Sequence, residues 1–385
     1  MKKVKLNFEG IFFFFLFLPY VCFSQNIVTI SSISNGNVIN FTLPTYTIKD
    51  TSIYEVYNIN QTYSYVQITE NFGEMTDVGY PNLPQYTVFL HVPSDATVFN
   101  VSVSNKISTQ KTLIRKILPA QENFEEETNP VFSIENSYYS SNGSLFAFVY
   151  QISDTVQIMG AKGIGFSIFP FQYKPSSNLM EIITSCTFTI THNGTPMLKA
   201  AALENTITNR YLSQIFYNYP TLKSGAATIG GKYLIITAPN FEETLRYFAN
   251  YKRNIGYDVT VVTTNITGTS APNILNYIKT RYNNMATRPN FVLLVGDHGD
   301  IPAAGGNPSG NDIDSPITDL TYALLDGDDY FADVFLGRFS VSTTGELINI
   351  INKTIFMETN IHRLDKKAKF VAGQGNGNWQ ENQFE

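Results

Sequence analysis

The residues best placed to do chemistry lie between Phe291 and Arg338. Phe291-Val292-Leu293-Leu294-Val295 is an apolar run of strand length that stops at Gly296-Asp297-His298. Runs apolar on both faces belong in buried parallel sheets, and ligands of such sheets sit just beyond the carboxyl ends of the strands. Asp297 is therefore predicted to stand where a metal or a reacting group would be. A second apolar run, Val334-Phe335-Leu336-Gly337, follows the acidic loop Asp326-Gly327-Asp328-Asp329-Tyr330-Phe331-Ala332-Asp333. Asp329, Phe331 and Asp333 alternate, so an extended loop would offer carboxylates with backbone carbonyls between them. That suits a hard cation such as calcium, which takes about six or more oxygens. Asp297 would close the shell from the neighbouring strand. The pattern is not that of an EF-hand. A solvated acidic loop has the same composition, so the residues alone leave both readings open.

His298 beside Asp297 invites a catalytic reading, but a general base needs a nucleophile within reach. No Cys follows Cys186, and Ser309, Ser315 and Ser340 lie outside any Gly-x-Ser-x-Gly elbow. A His that stabilises the loop is the competing reading. His91, His192 and His362 show no metal-ligand spacing. Gly305-Gly306 with Gly310 lacks the Lys and Ser/Thr of a phosphate cradle.

The elements that must position these residues fall into two parts. At 385 residues the chain predicts two domains of about 150 to 200 residues each. Residues 25–199 are rich in Val, Ile, Thr, Tyr and Phe, with turn residues about every ten positions, the spacing of an all-β domain. Tyr63 to Ile68, Tyr86 to Val92, Thr97 to Val103, Leu145 to Ile152 and Gly165 to Tyr173 read as strands. Residues 200–231, small and glycine-rich toward their end, read as a linker with a short helix over Tyr211 to Phe216. From 232 to 385 strands alternate with amphipathic segments. Tyr233 to Thr237, Asp258 to Thr263, Phe291 to Val295 and Lys369 to Gly373 read as strands. Helices are predicted with caps at Asn240 and Ser270, and another over Glu346 to Thr359. The alternation implies right-handed βαβ units and an open, mostly parallel sheet. The fold class is thus mixed, an all-β domain followed by an α/β domain.

Compartment follows from the first residues. Lys2, Lys3 and Lys5 precede a greasy segment from Ile11 to Phe23, so residues 1–24 read as a secretory signal peptide and the chain as secreted or held at the cell surface. A lipoprotein at Cys22 is the weaker alternative, because Pro19-Tyr20-Val21 is a bulky lead-in. The segment is shorter than the ~20 residues a spanning helix needs. Of two cysteines, only Cys186 survives removal of the signal, in an alternating stretch that reads as a buried strand. A net charge of -6 and a pI near 5.4 leave no basic stripe for nucleic acid.

Several of these motifs also resemble a known family. Leu293-Leu294-Val295-Gly296-Asp297-His298, Asp300-Ile301-Pro302-Ala303, Asp328-Asp329-Tyr330, the run Asp333 to Ser340 and Lys353-Thr354-Ile355 are similar to the gingipain family of cysteine peptidases. That resemblance runs from about Lys232 onward. Gly79-Tyr80-Pro81-Asn82-Leu83-Pro84 and Val88 to Pro93 resemble the propeptide domain of the same family.

The resemblance implies a caspase-like α/β sandwich, a protein or peptide substrate, and a propeptide held by its own peptidase domain. It also implies export through the periplasm and the outer-membrane secretion machinery of Gram-negative Bacteroidetes-type bacteria. Calcium at a structural site is implied too, with side-chain ligands Asp297, Asp329 and Asp333 and the backbone carbonyls of Asp326 and Phe331. Gingipain-like catalysis uses a Cys thiolate and a His in a Gly-His-Gly turn. Neither motif is in this sequence, and the acid that orients the His aligns near Gln374. No catalytic residue is therefore assigned in this chain, and by itself it is expected to hydrolyse no peptide.

Two explanations fit. The chain is the amino-terminal portion of a zymogen whose dyad lies beyond Glu385, or it is a non-catalytic secreted protein that reuses the scaffold for binding or adhesion. A secretion-system sortase of the same family is a further alternative. The zymogen is preferred, because a parallel sheet ending on a fresh strand would leave an open edge. Arg210 and Lys223 are candidate processing points, against the alternative that they are ordinary exposed cations.

Overall fold

A computed structural model describes residues 27–68, 72–74, 77–121, 131–141, 143, 149–195, 206–219, 230–305 and 317–363. The signal peptide, Lys223 and the strand expected at Lys369 to Gly373 lie outside the described residues.

Alternating β-branched and aromatic residues build the first domain. Its strands are β1 (Val28–Ile33), β2 (Gly36–Thr42), β3 (Tyr46–Ser52), β4 (Thr62–Ile68), β5 (Gly73–Glu74), β6 (Pro84–His91), β7 (Phe99–Thr112), β8 (Tyr150–Ile158), β9 (Ala161–Ile168), β10 (Phe171–Lys174) and β11 (Leu179–His192). The order β1-β2-β11-β10, with β7 also on β11, forms one sheet, and β5-β6-β9-β8 forms another. Inward residues of both share one core, with the rings of Phe166 on β9 and Phe188 on β11 meeting edge to face at 5.1 Å. Cys186 is buried in this core, and burial pushes its thiol pKa up. The single strand expected over Gly165 to Tyr173 is instead two strands, β9 and β10, because Pro170 between them has no N–H for a ladder.

Within the expected linker, helix α1 (Thr206–Ile215) starts earlier than anticipated. It packs Leu212 and the following Phe216 onto the end of the β8–β9 hairpin, so this part of the chain is structured. A Cβ at Gly163 would come within 2.1 Å of the Phe216 ring, which explains why glycine occupies that strand position.

In the second domain, β12 (Lys232–Thr237), β13 (Asp258–Thr263), β14 (Phe291–Val295) and β17 (Phe335–Phe339) form a parallel sheet in the order β13-β12-β14-β17; β15 (Ala304–Gly305) pairs with β16 (Ile317–Thr318) outside it. Both sheet faces are covered, as the unbroken apolar strands require. Ile235, Leu293 and Val295 face α2 (Glu242–Asn254) and α4 (Thr344–Thr359), while Leu234, Ile236, Val292 and Leu294 face α3 (Ala271–Asn283). Ser270 caps α3 as expected, its side chain accepting from the N–H of Asn273. Thr343 and Glu346 close a capping box on α4. Asn240 does not cap α2, because a 3₁₀ turn over Pro239–Phe241 comes first. Lys252 on α2, 5% exposed, places its ammonium 2.6 Å from Glu358 on α4 and above the rings of Tyr233, Phe248 and Tyr257. Carboxylate and ring faces together replace the water such a cation loses.

Candidate functional site

Parallel register places the chemistry-bearing residues. Phe291 pairs with Phe335 and Val295 with Phe339. Residues just after β14 therefore lie at the carboxyl edge of the sheet, and residues just before β17 lie at the amino edge. Asp297 and His298 are at the first edge; Asp326, Asp329, Phe331 and Asp333 are at the second.

At the carboxyl edge, Gly296 (φ 139°) opens a turn in which Asp300 and Ile301 donate their N–H groups to the Asp297 carbonyl. A Cβ at Gly296 would meet that of Asp300 at 2.7 Å, so the turn needs glycine both for room and for its dihedral. The Asp297 carboxylate accepts from the His298 N–H at 2.8 Å, Ser340 Oγ at 3.2 Å and Ser342 Oγ at 3.4 Å. These donors, the His298 N–H foremost, hold its pKa below the ordinary value. His298 Nδ1 accepts the N–H of Ala303 at 3.1 Å. In the neutral ring Nε2 then carries the proton, so the exposed nitrogen is a donor and not a base. Among the described residues no thiol is near, since Cys186 belongs to the core of the other domain.

Arg338 on β17 fixes this edge. Its Nε and Nη2 reach both oxygens of Asp319 at 2.7 Å, and its Nη1 donates to the carbonyls of Gly296 and Ile301 at 2.9 Å each. One guanidinium thus ties the strand, the turn that carries Asp297 and His298, and the 3₁₀ turn after Asp319. The sequence assigned Arg338 no role, although it is a charged residue in an otherwise apolar strand and lies in the Asp333 to Ser340 run that resembles the gingipain family.

At the amino edge, the acidic loop turns its carboxylates toward backbone donors. Asp333, 2% exposed, accepts the N–H groups of Leu325 (2.9 Å) and Asp326 (2.8 Å) on Oδ2, and the Met159 N–H (3.1 Å) and the Tyr282 hydroxyl (3.3 Å) on Oδ1. Burial raises its pKa, opposed by those N–H groups. Asp329 accepts from Phe331 N–H at 2.9 Å and from Gln157 N–H at 2.8 Å. Asp326 is exposed and accepts the N–H of Gly327 at 3.0 Å. The Phe331 ring packs on Phe89 of the first domain.

Asp297 and the Asp329–Asp333 loop, expected to share one calcium shell, thus stand at opposite edges of the sheet in this structure. The length of β14, about 13 Å at ~3.3 Å per residue, stands between the two edges, against metal–oxygen distances of about 2.3–2.6 Å. Among the described residues no three carboxylate, His or Cys groups converge as a metal site. Of the loop donors, Asp329 and Asp333 direct their oxygens at N–H and O–H groups in this arrangement. Calcium titrated into this chain is expected to give no rise in melting temperature that depends on Asp329. A rise abolished by Asp329→Asn would contradict the assignment.

Among known protein families, the model of peptidase family C25 matches residues 227–385, and the Propeptide_C25 model matches residues 27–225. Gingipain R2 of Porphyromonas gingivalis is 24% identical over 326 residues, 76% of this chain and 42% of that protein. Gingipain R1 of the same organism is 26% identical over 305 residues, 76% of this chain and 29% of that protein. The chain thus spans less than half the length of these relatives. The complex of Porphyromonas gingivalis RgpB pro- and mature domains is a structural neighbour at 16% identity and a TM-score of 0.42, covering 51% of this chain and 99% of that one.

Proposed function

The chain belongs to peptidase family C25 and carries that family's propeptide ahead of the peptidase domain; from this premise we propose that it is the amino-terminal portion of a secreted gingipain-like cysteine endopeptidase zymogen. Peptide-bond hydrolysis in this reading belongs to a Cys/His dyad beyond Glu385, on a sheet completed as a caspase-like sandwich. The observation that carries the reading is the order and contact of the two parts. Propeptide and peptidase regions follow one another along the chain, and the first donates backbone N–H groups to the second at Asp329 and Asp333.

Residues 1–24 act as the signal peptide, and export proceeds through the periplasm and the outer-membrane secretion machinery. The substrate is a protein or peptide. Asp297, His298 and Arg338 frame the carboxyl edge on which the dyad is assembled, with Arg338 as a positioning residue. A calcium ion in this reading belongs to the peptidase domain once the hairpin has left and its N–H groups no longer occupy Asp329 and Asp333. Cys186, a buried thiol of raised pKa, supplies no nucleophile.

Assay of the 385-residue chain against Arg-, Lys- and mixed-sequence peptides tests this. No hydrolysis is expected, with or without reducing agent. Thiol-dependent turnover by this chain would overturn the placement of the dyad.

A further inference from the structure

The β8–β9 hairpin ends in a two-residue turn, Met159-Gly160, between the paired Ile158 and Ala161. Both turn residues have positive φ, 51° and 81°. Such turns favour Asn-Gly, and a large side chain in the left-handed region is strained. Met159 holds that conformation while only 7% exposed, packed with Ile158, Leu212 and Phe216 against Phe331 and Phe335 of the peptidase domain. Its N–H points at the buried Asp333, and the N–H of Gln157 at Asp329. A residue unsuited to a free hairpin tip is thus suited to a tip inserted in a receptor.

We propose that this tip and the acidic loop form a latch that anchors the β domain at the amino edge of the parallel sheet, opposite the edge bearing Asp297 and His298. The receptor carboxylates are pre-positioned from their own side: Leu325, Asp326 and Tyr282 hold Asp333, and Phe331 N–H holds Asp329. On Asp333 those three donors leave about one acceptor direction, which the hairpin fills, and on Asp329 the Phe331 N–H holds Oδ1 while Oδ2 faces the hairpin. Beside them, Arg288 stacks on the Tyr282 ring at 4.4 Å and lies against Gly160, where a Cβ would approach its Nη1 to 2.8 Å. The recognised feature is therefore a bare glycine tip with two outward N–H groups, in place of a charged side chain. Because the latch lies away from the carboxyl edge, it holds the two domains together after the connecting chain is cut, whatever occupies that edge.

The test uses the whole chain with a site-specific protease sequence substituted within residues 220–229, cut after folding, with association of the two pieces followed by gel filtration and by dilution. Wild-type pieces are expected to co-elute. Met159→Asn supplies the residue this turn prefers and so leaves the hairpin intact, yet it removes the inserted side chain. It is expected to weaken association at least about tenfold, as is Asp333→Asn, whose single amide oxygen cannot serve both the Met159 side and the Leu325–Asp326 side that the two carboxylate oxygens now accept. Asp328→Asn, which removes the same charge from an exposed position of the same loop, is expected to leave association unchanged. Wild-type pieces that separate on cutting, Met159→Asn pieces that associate as tightly as wild type, or an Asp328→Asn effect equal to that of Asp333→Asn would each overturn the latch. The readout is association, so failure of the peptidase assignment leaves it standing.

Discussion

Replacing Arg338 with alanine is expected to cost about 2–4 kcal/mol of stability, less than the ~3–5 kcal/mol for one partner of a fully buried ion pair because this pair is partly exposed. The side chains of Arg338 and Asp319 are only 14% and 28% exposed, and the guanidinium makes four hydrogen bonds to a carboxylate and two carbonyls. Without it, the Asp319 carboxylate and the carbonyls of Gly296 and Ile301 lose their shared donor. Lysine should rescue little, because an ammonium cannot span a bidentate carboxylate and two carbonyls lying on different segments. The loss should fall first on the turn from Asp297 to Ile301, whose amide protons should exchange faster while those of the β1-β2-β11 sheet do not change. Urea unfolding with residue-resolved hydrogen exchange checks both. An Arg338→Lys protein within about 1 kcal/mol of wild type, with the turn still protected, would show that strand and turn hold their positions independently.

The second large effect is a loss of stability in acid through His91. This residue of β6 packs against the rings of Tyr219 at 4.9 Å and Phe216 at 5.7 Å, and its Nδ1 is buried with no hydrogen-bond partner among the described residues. Burial pushes its pKa down to about 4 from an ordinary value near 6.5. With the folded value depressed, the unfolded chain binds the proton first as pH falls, so stability is intact above about 6.5 and drains away toward 4. The loss reaches roughly 3 kcal/mol as an upper figure at pH 4. Several carboxylates of lowered pKa, including Asp297 and Glu346, act in the same direction, and Asp333 acts against them. A difference between two proteins isolates the His91 part. His91→Phe keeps the ring contacts and leaves the backbone bonds from residue 91 to Asn218 untouched. Its advantage over wild type should therefore grow by about 3 kcal/mol between pH 7 and pH 4 in urea melts. Parallel pH profiles would mean that the imidazole finds water or a partner when charged.

These two residues also mark where sequence reading succeeds and where it stops. Phe291–Val295 was legible because a run apolar on both faces has one economical home, between helices in a parallel sheet. Ser270 announced α3 by its own hydrogen bond, and the alternation around Cys186 placed that thiol in a core. The placement of the two acid groups is a matter of topology: Asp297 follows one parallel strand and Asp333 precedes the next, so they fall on opposite edges however close they stand in the sequence. Parallel pairing was itself expected, and carrying it one step further separates the two acids. Other features left little trace. Nothing about methionine marks Met159 as a turn residue, because its conformation is imposed by a receptor some 170 residues further along, beyond the reach of local pattern. Arg338 is one charge in an apolar strand, and its four acceptor atoms come from two other segments, Asp319 and the turn from Gly296 to Ile301. His91 alternates with apolar neighbours like any strand residue, and only the packing of Phe216 and Tyr219 against it makes its charge costly.

The proposed zymogen, propeptide and leading part of a cysteine peptidase, places its nucleophile elsewhere than Cys186. This placement is tested most directly by labelling the product translated through and past Glu385 with a peptidyl electrophile selective for activated thiolates, after propeptide release, and locating the adduct by peptide mass spectrometry. A single adduct on a cysteine beyond Glu385 is expected, with Cys186 unmodified. An adduct on Cys186, or hydrolysis of peptides with no labelled cysteine beyond Glu385, would contradict it.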